Sequence, residues 1–269
     1  MFILNILENK LKIIKLIINM YIYLNNIKQY NPLNTRKYSY NLVKCKLLSN
    51  KSLVNWGTNL SSTVGMKISK NELNNIKLPN YIKNVIIGIL LSDGYIVFSA
   101  KSKNGSLGLT QSLSHSNYIY FVFNILAHYC ARYPIFRERF RYGKLRFSLE
   151  IYTRSMPCIT ELYKDFYINK KKVIKPSIYN ELAPVTLAHW IMGDGTFNGI
   201  SLLLCTDSYT IKEIVLLINV LLIKYDIHCS IRYYKSVYPR IYILKKHLPK
   251  LRSIVQPFMH SSMLYKLGI

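Results

Sequence analysis

Two aspartates, Asp93 and Asp194, are the residues of this chain best placed by type and context to do chemistry. Each closes an apolar run that reads as a buried helix, and each is followed by glycine: Val85-Ile86-Ile87-Gly88-Ile89-Leu90-Leu91-Ser92-Asp93-Gly94 and Thr186-Leu187-Ala188-His189-Trp190-Ile191-Met192-Gly193-Asp194-Gly195. The acids stand 101 residues apart, about the length of one small domain. A helix C-terminus is the negative end of the macrodipole, so a carboxylate there costs stability unless a cation compensates. Two such helices side by side would bring both acids to one point, where a divalent cation fits. Gly94 and Gly195 read as the left-handed residues that stop each helix. Gly88 and Ser92, four apart, leave a small-residue stripe for close packing. One such motif alone reads as a buried helix with a polar stop; its repetition makes a pseudo-symmetric pair. The chain has no DxD, HExxH or Walker loop, so a metal site here would depend on these two acids. The five cysteines (45, 130, 158, 205, 229) contain no CxxC pair and read as reduced and buried.

The elements that must position the acids repeat in the same order. Helix 80–93 is followed by a strand Tyr95 to Ala100, a polar turn, a strand Leu107–Ser112 and a helix from Asn117 to Cys130. A basic hairpin comes next. Arg137, Arg139 and Arg141 recur with period two and share one strand face, with Phe136, Glu138 and Phe140 on the other. After Tyr142-Gly143, Leu145, Phe147, Leu149 and Ile151 alternate with Lys144, Arg146, Ser148 and Glu150, giving one core face and one wet, positive face. A helix from Met156 to Tyr167 ends this half, and the lysine-rich run Asn169 to Lys175 reads as a linker. The second half predicts helix 184–194, strands near Phe197 and Ile200–Thr206, and a helix 208–225 with Ser208 as N-cap. Strands Cys229–Tyr234 and Arg240–Leu244 and a helix Leu248–Val255 complete it. The stretches Leu109-Thr110-Gln111-Ser112 and Cys205-Thr206-Asp207-Ser208 echo one another, each at a strand end before a helix.

Both acid-bearing stretches resemble the LAGLIDADG motif of homing endonucleases and intron maturases. The resemblance extends through Asn169-Lys170-Lys171-Lys172-Val173-Ile174, Leu182-Ala183-Pro184, Leu187 to Gly195, Thr206-Asp207-Ser208 and Met263-Leu264-Tyr265-Lys266-Leu267. It is similar to the single-chain, two-motif branch of fungal mitochondrial introns and covers residues 60 to 269. Ser62-Thr63-Val64-Gly65-Met66 through Lys77-Leu78-Pro79 resembles the family's lead-in. The resemblance implies an α+β fold of two pseudo-symmetric αββαββα-like halves, with paired motif helices at the centre and antiparallel sheets forming a DNA-binding saddle. The expected organisation is an N-terminal leader or arm (1–60), a first half (61–168), a lysine-rich linker (169–183) and a second half (184–269). It implies Mg²⁺ or Mn²⁺ held by Asp93 and Asp194 together with Gly94 and Gly195, and a basic residue in each active site, Lys172 and Lys266. Lys172 lies among Lys170, Lys171 and Lys175, and spacing alone does not fix its register. Gln111 and Asp207 match polar positions near the metal and its water. His189 departs from the family pattern: it stands where Gly88 stands in the first motif, which predicts a looser helix crossing.

Charge points to the partner. The chain carries 37 Lys and Arg against 12 Asp and Glu, a net charge of +25, and so calls for a polyanion. Nucleic acid is the first candidate, an acidic membrane surface the second, packing within ribosomal-type RNA the third. A basic structural protein would not account for the paired helix–Asp–Gly motifs. The segment 1–30 is apolar and basic, but its longest uncharged run, Leu16 to Ile27, is short for a bilayer span, and no membrane is required. A β-ribbon can enter the major groove, which nominates Arg137, Arg139, Arg141 and Arg146 in the first half and Arg232, Tyr234, Lys235 and Arg240 in the second. The abundance of Asn, Ile, Lys and Tyr fits an AT-rich mitochondrial gene. The function that the resemblance implies is metal-dependent double-strand cleavage by a monomer at a long asymmetric intron insertion site, supporting intron homing. The alternative is an RNA maturase that assists its host group I intron. Intact acids at 93 and 194 favour cleavage.

Overall fold

The computed structural model describes residues 63–269 apart from 101 and 142. The segment 1–30, the polar stretch up to residue 62 and Cys45 therefore lie outside the described residues. The chain enters through α1 (Lys70–Asn75), closed at its start by a Ser69–Glu72 capping box. The first half comprises α2 (Asn80–Leu91), β1 (Tyr95–Phe98), β2 (Gly105–Ser112), α3 (Ser116–Leu126), β3 (Ile135–Arg141), β4 (Lys144–Tyr152) and α4 (Pro157–Phe166). A small hairpin, β5 (Tyr167–Ile168) and β6 (Lys171–Lys172), and α5 (Ile178–Glu181) lead onward. The second half comprises α6 (Pro184–Asp194), β7 (Gly195–Phe197), β8 (Leu202–Leu204), α7 (Ile211–Tyr225), β9 (Cys229–Tyr234), β10 (Tyr238–Ile243) and α8 (Leu248–Val255). A 3₁₀ stretch, Ser261–Leu267, closes the chain. Each half is αββαββα, and the two sheets have matching antiparallel orders, β1-β2-β4-β3 and β7-β8-β10-β9.

The motif helices α2 and α6 pack against each other at the centre. Both are buried almost all round: Val85 to Leu91 on one, Val185 to Met192 on the other. Isolated runs of Ile and Val favour strand; burial on every side of the helix overrides that preference. The crossing is tight. A Cβ at Gly88 would lie 2.5 Å from the Thr186 carbonyl oxygen and 2.6 Å from His189 Cβ. His189 thus does not loosen the crossing, contrary to the sequence expectation. Its ring turns away and stacks on Phe121, centroids 5.9 Å apart and 5° from parallel.

That ring is fully buried and neither nitrogen has a hydrogen-bond partner. Burial alone pulls its pKa down from 6.5 to about 3. The unfolded chain takes up this proton below pH 6.5 and the folded chain refuses it until about pH 3. Stability is therefore full above pH 6.5 and falls with acid through that window, by about 1.4 kcal/mol per pH unit from this group. His189→Phe keeps the stack and removes the slope. Thermal melts from pH 7 to pH 4.5 should show the variant gaining on the parent steadily as pH falls; parallel curves would refute this.

Several sequence expectations are corrected. Neither Gly94 nor Gly195 is left-handed; Gly195 is extended, at φ −72° and ψ 143°. They are glycines because the chain passes too close to its own helix. A Cβ at Gly195 would meet the Ile191 carbonyl oxygen at 2.5 Å, and one at Gly94 the Ile89 carbonyl oxygen at 2.7 Å. The N-cap of α7 is Thr210, not Ser208, because Thr210 and Glu213 form a capping box that satisfies two end donors. Tyr209 is thereby freed to reach the first half, where its hydroxyl donates to the Leu91 carbonyl at 3.0 Å. The core face of the β3–β4 hairpin is buried only on β4 at its base, at Leu149 and Ile151; Phe136, opposite Leu149, and Phe140 and Leu145 near the tip are exposed. The lysine-rich run opens with the β5–β6 hairpin, whose turn residues Asn169 and Lys170 both have positive φ. Of the described cysteines only Cys130 is buried; Cys158, Cys205 and Cys229 are half-buried, and all four are free.

Candidate active site and nucleic-acid interface

The two acids arrive at one place by different routes. Asp194 is the last residue of α6, while Asp93 lies two residues beyond the end of α2. Asp93 is exposed and Asp194 is half-buried. The Asp93 Oδ2 accepts a 2.6 Å hydrogen bond from Gln111 Nε2 at the end of β2. Asp194 is pushed up from 3.8 to about 7, first by burial and then by the charge of Asp93, against the opposing pull of Lys172 and Lys266. The site therefore holds more negative character than it stabilises by itself.

Each half ends on a lysine that returns to its own motif helix. Lys172, on β6, donates to the Gly94 carbonyl at 2.8 Å and to the Ser92 carbonyl at 3.2 Å. The period-two alternation of β6 leaves Lys171 exposed and turns Lys172 inward. Lys266, in the closing 3₁₀ stretch, donates to the Gly193 carbonyl and is 7% exposed. Burial pulls Lys172 down to about 8, with Asp194 and Asp93 holding it up in part. Lys266 is lowered for the same first reason and held up by Asp93 and Asp194.

The donor chemistry suits a hard cation. Two carboxylates and the main-chain carbonyls at the helix ends are all oxygen donors, the set that Mg²⁺ takes while keeping several waters. Among the described residues no group of three or more His, Cys, Asp or Glu could form a zinc-type cluster. The Gly94 carbonyl already accepts from Lys172, but a carbonyl oxygen has a second lone pair.

The basic candidates divide by how they are held. Arg137 and Arg139 on β3 both donate to Glu150 on β4, Arg137 through Nε at 3.1 Å and Arg139 through Nη2. Arg146 pairs across the ladder with Arg139 and is exposed. Arg141 pairs with Lys144 along the backbone, and its side chain lies outside the described residues. In the second half Arg240 donates to Asp207 through Nε at 2.8 Å and Nη2 at 2.9 Å and lies over the Tyr234 ring. Arg232 lies 3.6 Å from the Tyr242 ring centroid, and Lys235 sits at the positive-φ turn of the β9–β10 hairpin.

A model of the LAGLIDADG DNA endonuclease family matches residues 83–251. The chain belongs to this family. Among curated relatives it is 30% identical over 224 residues to the cytochrome b mRNA maturase bI2 of Debaryomyces hansenii, covering 79% of this chain and 84% of that protein. It is 32% identical over 218 residues to the maturase of the same name from Saccharomyces cerevisiae, covering 76% of this chain and 52% of that longer protein. Among solved structures it resembles the homing endonuclease I-WcaI bound to its DNA recognition sequence. The TM-score is 0.67 at 29% identity, over 71% of this chain and 88% of that one.

The LAGLIDADG halves are not equivalent around their acids. Gln111 and Asp207 echo each other in sequence, yet Gln111 bonds to Asp93 while Asp207 turns to Arg240. Behind Gln111 stands a contact the sequence reading missed. His115 Nδ1 lies 3.3 Å from Gln111 Oε1, and its Nε2 lies 3.4 Å from the Tyr265 hydroxyl. A carboxylate only accepts, so the chain of bonds runs one way: the Tyr265 hydroxyl donates to His115, His115 to Gln111, and Gln111 to Asp93. The place of His115, four residues after Gln111, was the only sequence signal; Tyr265, 150 residues further on, gave none.

Proposed function

We propose that this protein is a site-specific endonuclease that hydrolyses one phosphodiester in each strand of duplex DNA at an intron insertion site, and so promotes intron homing. The observation that carries this reading is the pair of carboxylates at the ends of two crossed helices, each with a lysine ammonium on the neighbouring main-chain carbonyls. Asp93 and Asp194 would hold divalent cations, Mg²⁺ or Mn²⁺, with the Gly94 and Gly195 carbonyls beside them. When bound, such ions supply an activated water and stabilise the leaving oxygen. Asp194 releases its proton to take up that role. Lys172 and Lys266 offset charge that grows on the phosphate, and Lys172, at about 8, can exchange a proton near neutral pH. Gln111 keeps the Asp93 carboxylate in one orientation. The two ribbons carry the basic side chains toward the duplex in a saddle-like arrangement. Unequal halves in one chain suit a monomer on a long asymmetric target rather than a palindrome. A mitochondrial setting is supported by the AT-rich composition and by relatives that are named cytochrome b mRNA maturases.

Those names also favour a second reading, in which the chain binds its group I intron RNA and assists splicing. The two are separated by incubating the purified protein with duplex DNA of the intronless host allele, in Mg²⁺ and in Ca²⁺, alongside the intron RNA. Cleavage in Mg²⁺ at one position, absent when the intron interrupts that site, is expected. Tight, selective capture of the intron RNA with no cut in any DNA would replace the nuclease with the maturase.

A further inference from the structure

The carboxylate of Glu150 is out of place on a basic ribbon. The chain has 12 acids against 37 bases, and a negative charge on the face that meets a polyanion repels it. Glu150 is 1% exposed at the base of the β3–β4 hairpin, where leaving a carboxylate unpaired would be costly. Its oxygens are taken by Arg137 Nε, by Arg139 Nη2 and, at 3.5 Å, by the Tyr152 hydroxyl. Tyr152 is in turn held by the Tyr95 hydroxyl at 2.8 Å, and Tyr95 approaches Thr110 at 3.3 Å. The acid thus sits on a fixed polar floor, while the two guanidinium side chains above it remain 50% and 46% exposed. Arg137 donates through Nε, which leaves its two terminal nitrogens free as a fork.

This arrangement separates the arginines by physics. An arginine that reads guanine must present two N–H groups to O6 and N7 in a fixed plane, and restraint before binding reduces the entropy lost on doing so. An arginine that meets a phosphate needs charge more than a fixed plane. Arg146, exposed opposite Arg139, has no ion pair among the described residues. On the other sheet Asp207 and the Tyr234 ring hold Arg240 in the same manner, from a different position in the repeat.

We propose that Glu150 is a specificity-determining positioning residue: it aims Arg137 and Arg139 at base edges, whereas Arg146 serves the phosphate backbone. This rests on the DNA-binding reading above. The test uses Glu150→Gln, which keeps the shape and removes the charge, with Arg137→Lys and Arg146→Ala beside it. Wild-type protein in Ca²⁺ selects its target from a randomised duplex pool, and all variants are then profiled on every single-base-pair change of that target. Glu150→Gln should lose about tenfold in discrimination at a few adjacent base pairs, retain discrimination elsewhere, and bind unrelated duplex as tightly as the parent or more so. Arg137→Lys should lose discrimination within the same block, which keeps the proposal open to refutation if Glu150→Gln fails to fold. Arg146→Ala should weaken all sequences alike and lower the salt dependence by about one counterion. Discrimination lost evenly across the target, or unchanged in a folded Glu150→Gln, overturns the role of Glu150; if Glu150→Gln does not fold, unchanged discrimination in Arg137→Lys overturns it. A wild-type protein that selects no duplex at all overturns the DNA-binding reading itself, and is seen before any variant is compared.

Discussion

Replacing Asp194 by asparagine is expected to abolish cleavage and, in the metal-free protein, to raise stability at pH 8. Both effects follow from one fact: the folded site holds Asp194 at about 7, well above its ordinary 3.8. Between those values the folded chain keeps a proton that the unfolded chain has released. The stability linked to that proton is complete below pH 3.8 and is lost as pH rises through the window, so above pH 7 the ionised acid carries its full cost. Three pKa units correspond to about 4 kcal/mol, an upper figure for a half-buried group coupled to Asp93. Asparagine cannot ionise and avoids this cost. In a chelator the variant should therefore melt higher than the parent at pH 8, with the difference shrinking toward pH 4. Asp93→Asn also removes cleavage but gains less directly: it relieves the repulsion on Asp194 and so moves that pKa down. Equal melting points for parent and Asp194→Asn at pH 8 would remove the claim that the site is a store of unfavourable charge. Added Mg²⁺ should close the gap from the other side, stabilising the parent and not the variant.

How much of this was legible in the sequence depended on how local the cause was. The bounds of α6 could be read from Pro184, which suits a first turn, and from the acid–glycine end. The β3–β4 hairpin was legible from its period-two alternation, because strand geometry imposes that period wherever the strand lies. The stop residues were misread because glycine has two uses. Here it admits a close approach to the Ile89 and Ile191 carbonyls, and a left-handed turn is not involved. Partners across strands were not legible at all. Glu150 reaches Arg137 and Arg139 only because the hairpin register sets Arg137 opposite Ser148 and Arg139 opposite Arg146, and a slip of one residue would separate them. Lys172 was nominated by resemblance; its inward direction comes from β6, which is too short to announce itself by pattern. The polar chain from Tyr265 to Asp93 spans the whole fold, so no window of sequence contains it.

The glycines between the motif helices should fail in two distinguishable ways. The pseudo-dyad pairs Gly88 with His189 and Ser92 with Gly193, so each layer has one glycine and one larger residue. At Gly193 a new Cβ would overlap the Ser92 side chain, a group that can be removed. Gly193→Ala alone is expected to cost about 1–3 kcal/mol by overpacking, and Ser92→Gly in the same chain should recover most of it. At Gly88 the obstacle is the Thr186 carbonyl oxygen, 2.5 Å from the new Cβ, as well as His189 Cβ at 2.6 Å. Main chain inside a helix cannot step aside without moving the helix. Gly88→Ala should therefore cost about 3 kcal/mol or more, and His189→Gly, which removes the opposing Cβ, should not rescue it. It should also reduce cleavage at permissive temperature, because forcing the helices apart shifts Asp93 and Asp194 relative to each other without touching either. Denaturant unfolding of the two double-mutant cycles gives the answer directly: a large positive coupling for Ser92 with Gly193 and a small one for Gly88 with His189. Equal rescue in both layers would mean that side chains alone, and not the backbone contact at Thr186, set how closely the acids can meet.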